Sequence, residues 1–168
     1  MLSAVALVAI AACNQSSTRS AQPAPREPEC HLIPSGHIGN VLIVYDQEHG
    51  STMRYRDGTC MIDVPADGTV ITRARFQNDT AGAWRRFYYV DAAGAQTPLR
   101  EIRNCDTFRV SDGVCVYGHQ IDSISTPDST RHLVFESYLV IPVGSVDTIL
   151  SLIETRNRQL ARLAGWTE

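Results

Sequence analysis

Three Asp-Gly pairs, Asp57-Gly58, Asp67-Gly68 and Asp112-Gly113, divide the chain into short runs of β-branched and aromatic residues. Asp-Gly favours the left-handed φ values that a two-residue hairpin turn needs, so residues 53–56 and 59–64 are predicted to pair around Asp57-Gly58. Pro65 presets the first φ of the next turn and Gly68 closes it. Runs bounded this closely have the length of strands and are too short for helices.

The runs also carry the period of strands. Val41-Leu42-Ile43-Val44-Tyr45 is continuously apolar, as in a strand buried on both faces. In residues 69–76, Val70, Thr72, Ala74 and Phe76 share one face while Thr69, Arg73 and Arg75 share the other, the pattern of a half-buried strand. Arg85-Arg86-Phe87-Tyr88-Tyr89-Val90 reads as a central strand, with Phe87 and Tyr89 facing opposite to Tyr88. Residues 30–33, 114–118 and 132–141 are further strands, and 97–110 holds one or two short ones. The end differs. Ile149, Leu152, Ile153, Arg156, Leu160 and Leu163 recur at helical spacing between Ser145, a capping residue, and Gly165, a stop. A mainly β fold is therefore expected over residues 29–144, either an antiparallel β-sandwich or a partly open barrel. One C-terminal amphipathic α-helix, residues 145–164, would cover an apolar sheet face or offer a docking surface.

Ahead of this domain stands an uncharged apolar run, residues 1–12, and a polar, proline-spaced tether, residues 13–28. An apolar core, small residues at a cleavage point and a polar tether have the form of an export signal. Ile10-Ala11-Ala12-Cys13 resembles a bacterial lipobox, which implies that Cys13 is lipidated and becomes the mature N-terminus. No Lys or Arg precedes Cys13, so a leader of ordinary form would start at a codon further upstream. The alternative is a short N-terminal strand or helix with Cys13 a buried thiol. The run falls short of the ~20 apolar residues of a membrane span. Asn14 follows the cysteine in place of the Asp associated with inner-membrane retention in some bacteria, which favours the outer membrane. The chain is thus expected in the cell envelope, held to the membrane by lipid. A net charge of −3 gives no electrostatic case for nucleic acid as a partner.

With Cys13 set aside, Cys30, Cys60, Cys105 and Cys115 remain, and in an oxidising compartment an even set implies disulfides. Three pairings are possible. Cys30–Cys60 with Cys105–Cys115 is favoured because each closes a short loop within one local unit. No Cys-x-x-Cys or His-x-x-x-His spacing occurs, so no metal site is expected.

The segment Leu32-Ile33-Pro34-Ser35-Gly36-His37-Ile38-Gly39-Asn40-Val41-Leu42-Ile43-Val44-Tyr45-Asp46-Gln47 resembles the opening of an uncharacterised domain family of bacterial exported proteins and lipoproteins. The blocks Tyr55-x-Asp57-Gly58, Val64-Pro65-x-Asp67-Gly68 and Phe87-Tyr88-Tyr89-Val90 fit the same pattern in order and spacing. The resemblance implies a location and a fold, and no activity. A fainter likeness, carried by Gly39-Asn40-Val41-Leu42-Ile43 and Val64-Pro65-Ala66-Asp67-Gly68, is to transthyretin-like and carboxypeptidase-regulatory sandwich modules.

Catalytic chemistry finds no motif. There is no Gly-x-Ser-x-Gly elbow, and Ser35 beside His37 is already accounted for as a turn residue. Asp46, Glu48, Asp57 and Asp63 offer carboxylates, most of them at strand ends and turns where Asp is common anyway. No phosphate-binding Gly loop occurs, and no cofactor is expected. His37, His49 and His119 would be solvated loop residues or share an edge as a weak ligand site. Trp84, Tyr88, Arg85 and Arg86 form a candidate ligand face for sugar or peptide. The leading expectation is a non-enzymatic structural or interaction module whose partner is an envelope protein or a glycan. The alternative is a carbohydrate- or small-ligand-binding module. A hydrolase would require a His–carboxylate pair within hydrogen-bond reach in a cleft.

Overall fold

The computed structural model describes residues 28–76, 85–102 and 113–166. The leader, Cys13, Trp84, Cys105 and Asp112 lie outside the described residues. Within them the strands run Glu29–Pro34 (β1), Gly39–Val44 (β2), Arg54–Arg56 (β3), Thr59–Asp63 (β4), Thr69–Ile71 (β5), Arg85–Val90 (β6), Gln96–Ile102 (β7), Val114–Ser125 (β8) and His132–Pro142 (β9), followed by the helix Val146–Leu163 (α1). They form one nine-stranded sheet in the order β3-β4-β1-β6-β7-β8-β9-β2-β5.

Local turn chemistry accounts for the hairpins. Asp57 and Gly58 both take positive φ (49° and 72°), and Tyr55 pairs with Cys60 across them as expected. β8 and β9 pair over ten residue positions, from Val114–Pro142 to Ser125–His132. β2 is buried on both faces, every residue from Val41 to Val44 being at most 2% exposed.

The sheet is a single mixed layer, an open half-barrel, where an antiparallel sandwich was one of the two expected forms. β1 lies parallel to both β4 and β6, β2 parallel to β5, and β7 parallel to β8. Parallel pairs need crossovers between strands distant in sequence, which turn residues do not signal. The curl is evident in the core. Ile33 of β1, Ile62 of β4, Val70 of β5, Phe87 of β6 and Tyr138 of β9 share one apolar cluster although they come from opposite ends of the sheet. A parallel bridge between Ser51 and Thr72 draws the two ends together. Of residues 69–76, expected as one strand, regular pairing stops at Ile71, and beyond it single hydrogen bonds continue, Thr72 N–H to Val44 O and Asp46 N–H to Ala74 O.

Period-two alternation sorts β9 between two environments. Leu133, Phe135, Leu139 and Ile141 face outward into clusters that include Leu160, Ala164 and Ile149 of the C-terminal segment. Tyr138 and Val140 face inward. The helix therefore covers the convex face of β2, β8 and β9. Gly165, at φ 85°, donates to Arg162 O and ends it as expected. Ser145 precedes it but makes no side-chain capping bond.

The cysteines do not pair as expected. Glu29 aligns with Cys60 and Cys30 with Met61, so Cys60 faces the concave core while Cys30 faces the other side. A sheet lies between the two thiols. Cys30 aligns with Arg86 of β6 and carries a free, buried thiol, as does Cys115, which donates weakly to Ile141 O at 3.6 Å. Cys115 is the only member of the other expected pair within the described residues, since Cys105 lies outside them.

Candidate functional site

The inward face of β9 carries Glu136 in phase with Tyr138 and Val140, and its side chain is wholly buried. A buried carboxylate is costly unless it is paired and hydrogen-bonded, and here donors converge on it. Tyr45 Oη donates to Oε2 at 3.1 Å. His119 Nε2 lies 2.8 Å from Oε1, Arg85 Nε 3.3 Å and His31 Nε2 3.5 Å. Burial raises the carboxyl pKa, but the His119 hydrogen bond and the charges of His31, His119 and Arg85 outweigh it and bring it to about 2. Glu136 is ionised throughout the neutral range.

Each donor is placed by a strand. His31 stands on β1 against the Phe87 ring, centroids 4.7 Å apart. Its Nδ1 lies 3.0 Å from Tyr138 Oη. Burial and the Glu136 charge push the Tyr138 pKa well above its ordinary value, so its hydroxyl keeps its proton. The contact at Nδ1 turns the other ring nitrogen, Nε2, toward Glu136, 3.5 Å from Oε1. His119 reaches the same carboxylate through an irregularity. Tyr117 pairs with Leu139 and Gln120 with Ser137, so Gly118 and His119 together oppose Tyr138 in a β-bulge. Without the extra residue, alternation from Val116 and Tyr117 would have turned His119 outward.

Arg85, the first residue of β6, bridges to a second carboxylate. Its Nε lies 3.0 Å from Glu29 Oε2, with side-chain exposures of 12% and 9%. Its Nε stands within ion-pair distance of both Glu29 and Glu136 without being aligned for a hydrogen bond. Its buried Nη2 has no hydrogen-bond partner among the described residues.

This cluster gathers two carboxylates, two imidazoles, a guanidinium and two phenols inside the half-barrel. The His–carboxylate pair that a hydrolase would need is present, but it is largely enclosed: His31, Glu136 and Tyr138 are all 0% exposed, while the His119 and Arg85 side chains keep 12%. Of the expected ligand face, Arg85 turns inward to the cluster, Arg86 and Tyr88 lie on the opposite side of β6, and Trp84 is outside the described residues. The three loop histidines do not share an edge. His37 bonds to Asn40 O at 3.2 Å, His49 is exposed in the β2–β3 loop, and His119 belongs to the cluster. Glu29, His31 and Glu136 were not singled out by sequence. The available signal was Glu136, an ionisable residue in phase with the inward residues of an otherwise apolar strand.

A separate cleft of about 420 Å³ opens where the sheet ends approach each other. Met53, Met61, Pro65 and Ile71 line it with the Arg54–Asp63 ion pair, whose Nε–Oδ2 distance is 2.7 Å.

Residues 25–143 match a family of unknown function, DUF6843. No curated protein matches the chain. The crystal structure of a candidate lipoprotein from Bacillus anthracis superposes with a TM-score of 0.52, covering 68% of this chain and 70% of its own, at 19% identity. At that identity the likeness is one of fold alone.

Proposed function

The chain belongs to the DUF6843 family of unknown function, and on that premise we propose that it is a lipid-anchored protein of the bacterial cell envelope that works by contact rather than by catalysis. The observation that carries the second half is the burial of its chemically capable groups. His31, Glu136 and Tyr138 have the partners of an acid–base relay and no surface on which to meet a substrate. Arranged this way they specify how β1, β6, β8 and β9 come together, a role for which buried polar networks are suited.

The anchor rests on Ala11-Ala12-Cys13 and on the polar segment that separates Cys13 from β1. A coil of about 15 residues has a reach on the order of 20 Å, enough to stand the domain clear of a bilayer surface. Asn14 favours the outer membrane. Wild-type protein is expected to incorporate radiolabelled palmitate and Cys13→Ala is not; equal labelling of the two overturns the anchor.

The cleft between the sheet ends favours a second reading, a small-ligand or glycan module. Its mixed lining of methionines and an ion pair is the kind that small ligands use. A thermal-shift screen against glycans separates the readings, since a shift abolished by Asp63→Ala would favour binding at the cleft.

A further inference from the structure

We propose that Glu29, His31, His119 and Glu136 form a closed site for one divalent transition-metal ion of the zinc class, and that Arg85 is the cation that occupies this place when no metal is bound. His31 offers a ring nitrogen, and Glu29 and Glu136 one carboxylate oxygen each, all within 4.8 Å of one another. His119 Nε2 adds a fourth donor, 2.8 Å from Glu136 Oε1.

The donor set selects the ion. Imidazole with carboxylate suits zinc, cobalt and nickel, whereas calcium and magnesium take oxygen ligands. Zinc bonds of about 2.0–2.2 Å in tetrahedral geometry set ligand atoms roughly 3.5 Å apart, so donors now within 4.8 Å of one another have to draw in around the ion. The supporting contact is also in place. Tyr138 Oη on Nδ1 holds the His31 ring with Nε2 facing the carboxylates, the arrangement that orients metal-bound histidines. With an ion on Nε2, the imidazole proton sits on Nδ1 and donates to Tyr138 Oη.

Burial makes the site a closed, structural one. Its ligands come from β1, β8 and β9, which is why no short spacing motif announces it. Arg85 competes for it directly, lying 3.0 Å from Glu29 and 3.3 Å from Glu136. It is also among the more exposed members, at 12%, and can withdraw toward solvent.

The test uses the full chain, stripped with a chelator and titrated with Zn²⁺ against a chromophoric chelator and with Co²⁺ by its visible absorption. Wild type is expected to take up one equivalent, Glu136→Gln and His31→Gln to lose it, and Arg85→Met to bind at least ~10-fold tighter, which is about 1.4 kcal/mol. Where Glu136→Gln does not fold, His119→Gln and Arg85→Met carry the test, with circular dichroism confirming that each is native. No uptake by the wild type overturns the proposal, as does uptake unaltered in both Glu136→Gln and His31→Gln, which would place the ion elsewhere. Unchanged or weaker binding by Arg85→Met overturns the competition.

Discussion

Tyr138 Oη and His31 Nδ1 share a hydrogen bond of 3.0 Å, joining β9 to β1 across 107 positions of sequence. The two strands are not neighbours in the sheet; β6, β7 and β8 separate them. The bond therefore spans the concave interior and closes the half-barrel on itself. Tyr138 is wholly buried and its ring also packs edge-on to Phe87, centroids 5.0 Å apart.

Tyr138→Phe keeps that ring packing and removes only the hydroxyl. A buried Nδ1 is left without it, and the expected loss is about 1–3 kcal/mol. Urea denaturation at neutral pH checks the value. A loss below the range would mean that the hydroxyl is not what holds the two walls together.

Glu136→Gln conserves shape and removes the charge that Arg85, His31 and His119 surround. Breaking a buried ion pair from one side costs about 3–5 kcal/mol, much of it from the partner left behind. In metal-free protein the variant is expected to lose about 3 kcal/mol. Adding Arg85→Met should restore part of this, because it removes the stranded guanidinium. Additive losses in the double-mutant cycle would show that the two groups are not coupled.

Features set by local physics were legible in the sequence. Asp57-Gly58 dictates its turn by the φ values it permits, Val41 to Tyr45 is apolar on both faces because both are covered, and the helix follows from its spacing. What was not legible depends on phase between distant strands. Cys30 and Cys60 look like neighbours across a short loop, yet the alignment of β1 with β4 puts them on opposite faces. Arg85 looks like part of a surface stripe with Arg86, but alternation sends it inward to Glu29 and Glu136. His119 is turned by one inserted residue that no periodicity reveals.

That phase relation yields a covalent test. Non-reducing peptide mapping is expected to find no Cys30–Cys60 cross-link, since forming it would require one thiol to pass through the sheet. Burial raises the Cys30 thiol pKa against the lowering effect of Arg86, so native protein should alkylate at Cys30 slowly and denatured protein quickly. A Cys30–Cys60 peptide would contradict the pairing of β1 with β4.

The β8–β9 loop supplies a pH dependence. Asp128 accepts from Thr126 Oγ1 at 2.5 Å and from Thr130 Oγ1 at 2.7 Å, and these bonds bring its pKa from 3.8 down to about 2. The folded value lies below the unfolded one, so the contribution of this loop is complete above the unfolded pKa and is lost as pH falls toward 2. A carboxyl NMR titration should show the low value, and Thr130→Val should move it upward. A titration at the ordinary aspartate value would mean that the loop is not held this way in solution.

Two glycines separate strain from collision. Gly118, in the bulge that turns His119 inward, has φ 65° and open space where a Cβ would stand. Gly118→Ala should therefore cost only the left-handed penalty, about 1–2 kcal/mol. Gly68 closes the β4–β5 turn at φ 78°, and a Cβ there would lie 2.1 Å from Asn40 O, on the backbone of β2. Gly68→Ala meets the same penalty and must also push β2 away from the turn whose Gly68 O accepts the Leu42 N–H at 2.8 Å. It should cost clearly more than Gly118→Ala, and thermal melts of the two variants side by side give the comparison. Equal losses would mean that the turn yields without disturbing β2, and that the close approach is not part of what fixes the edge of the half-barrel.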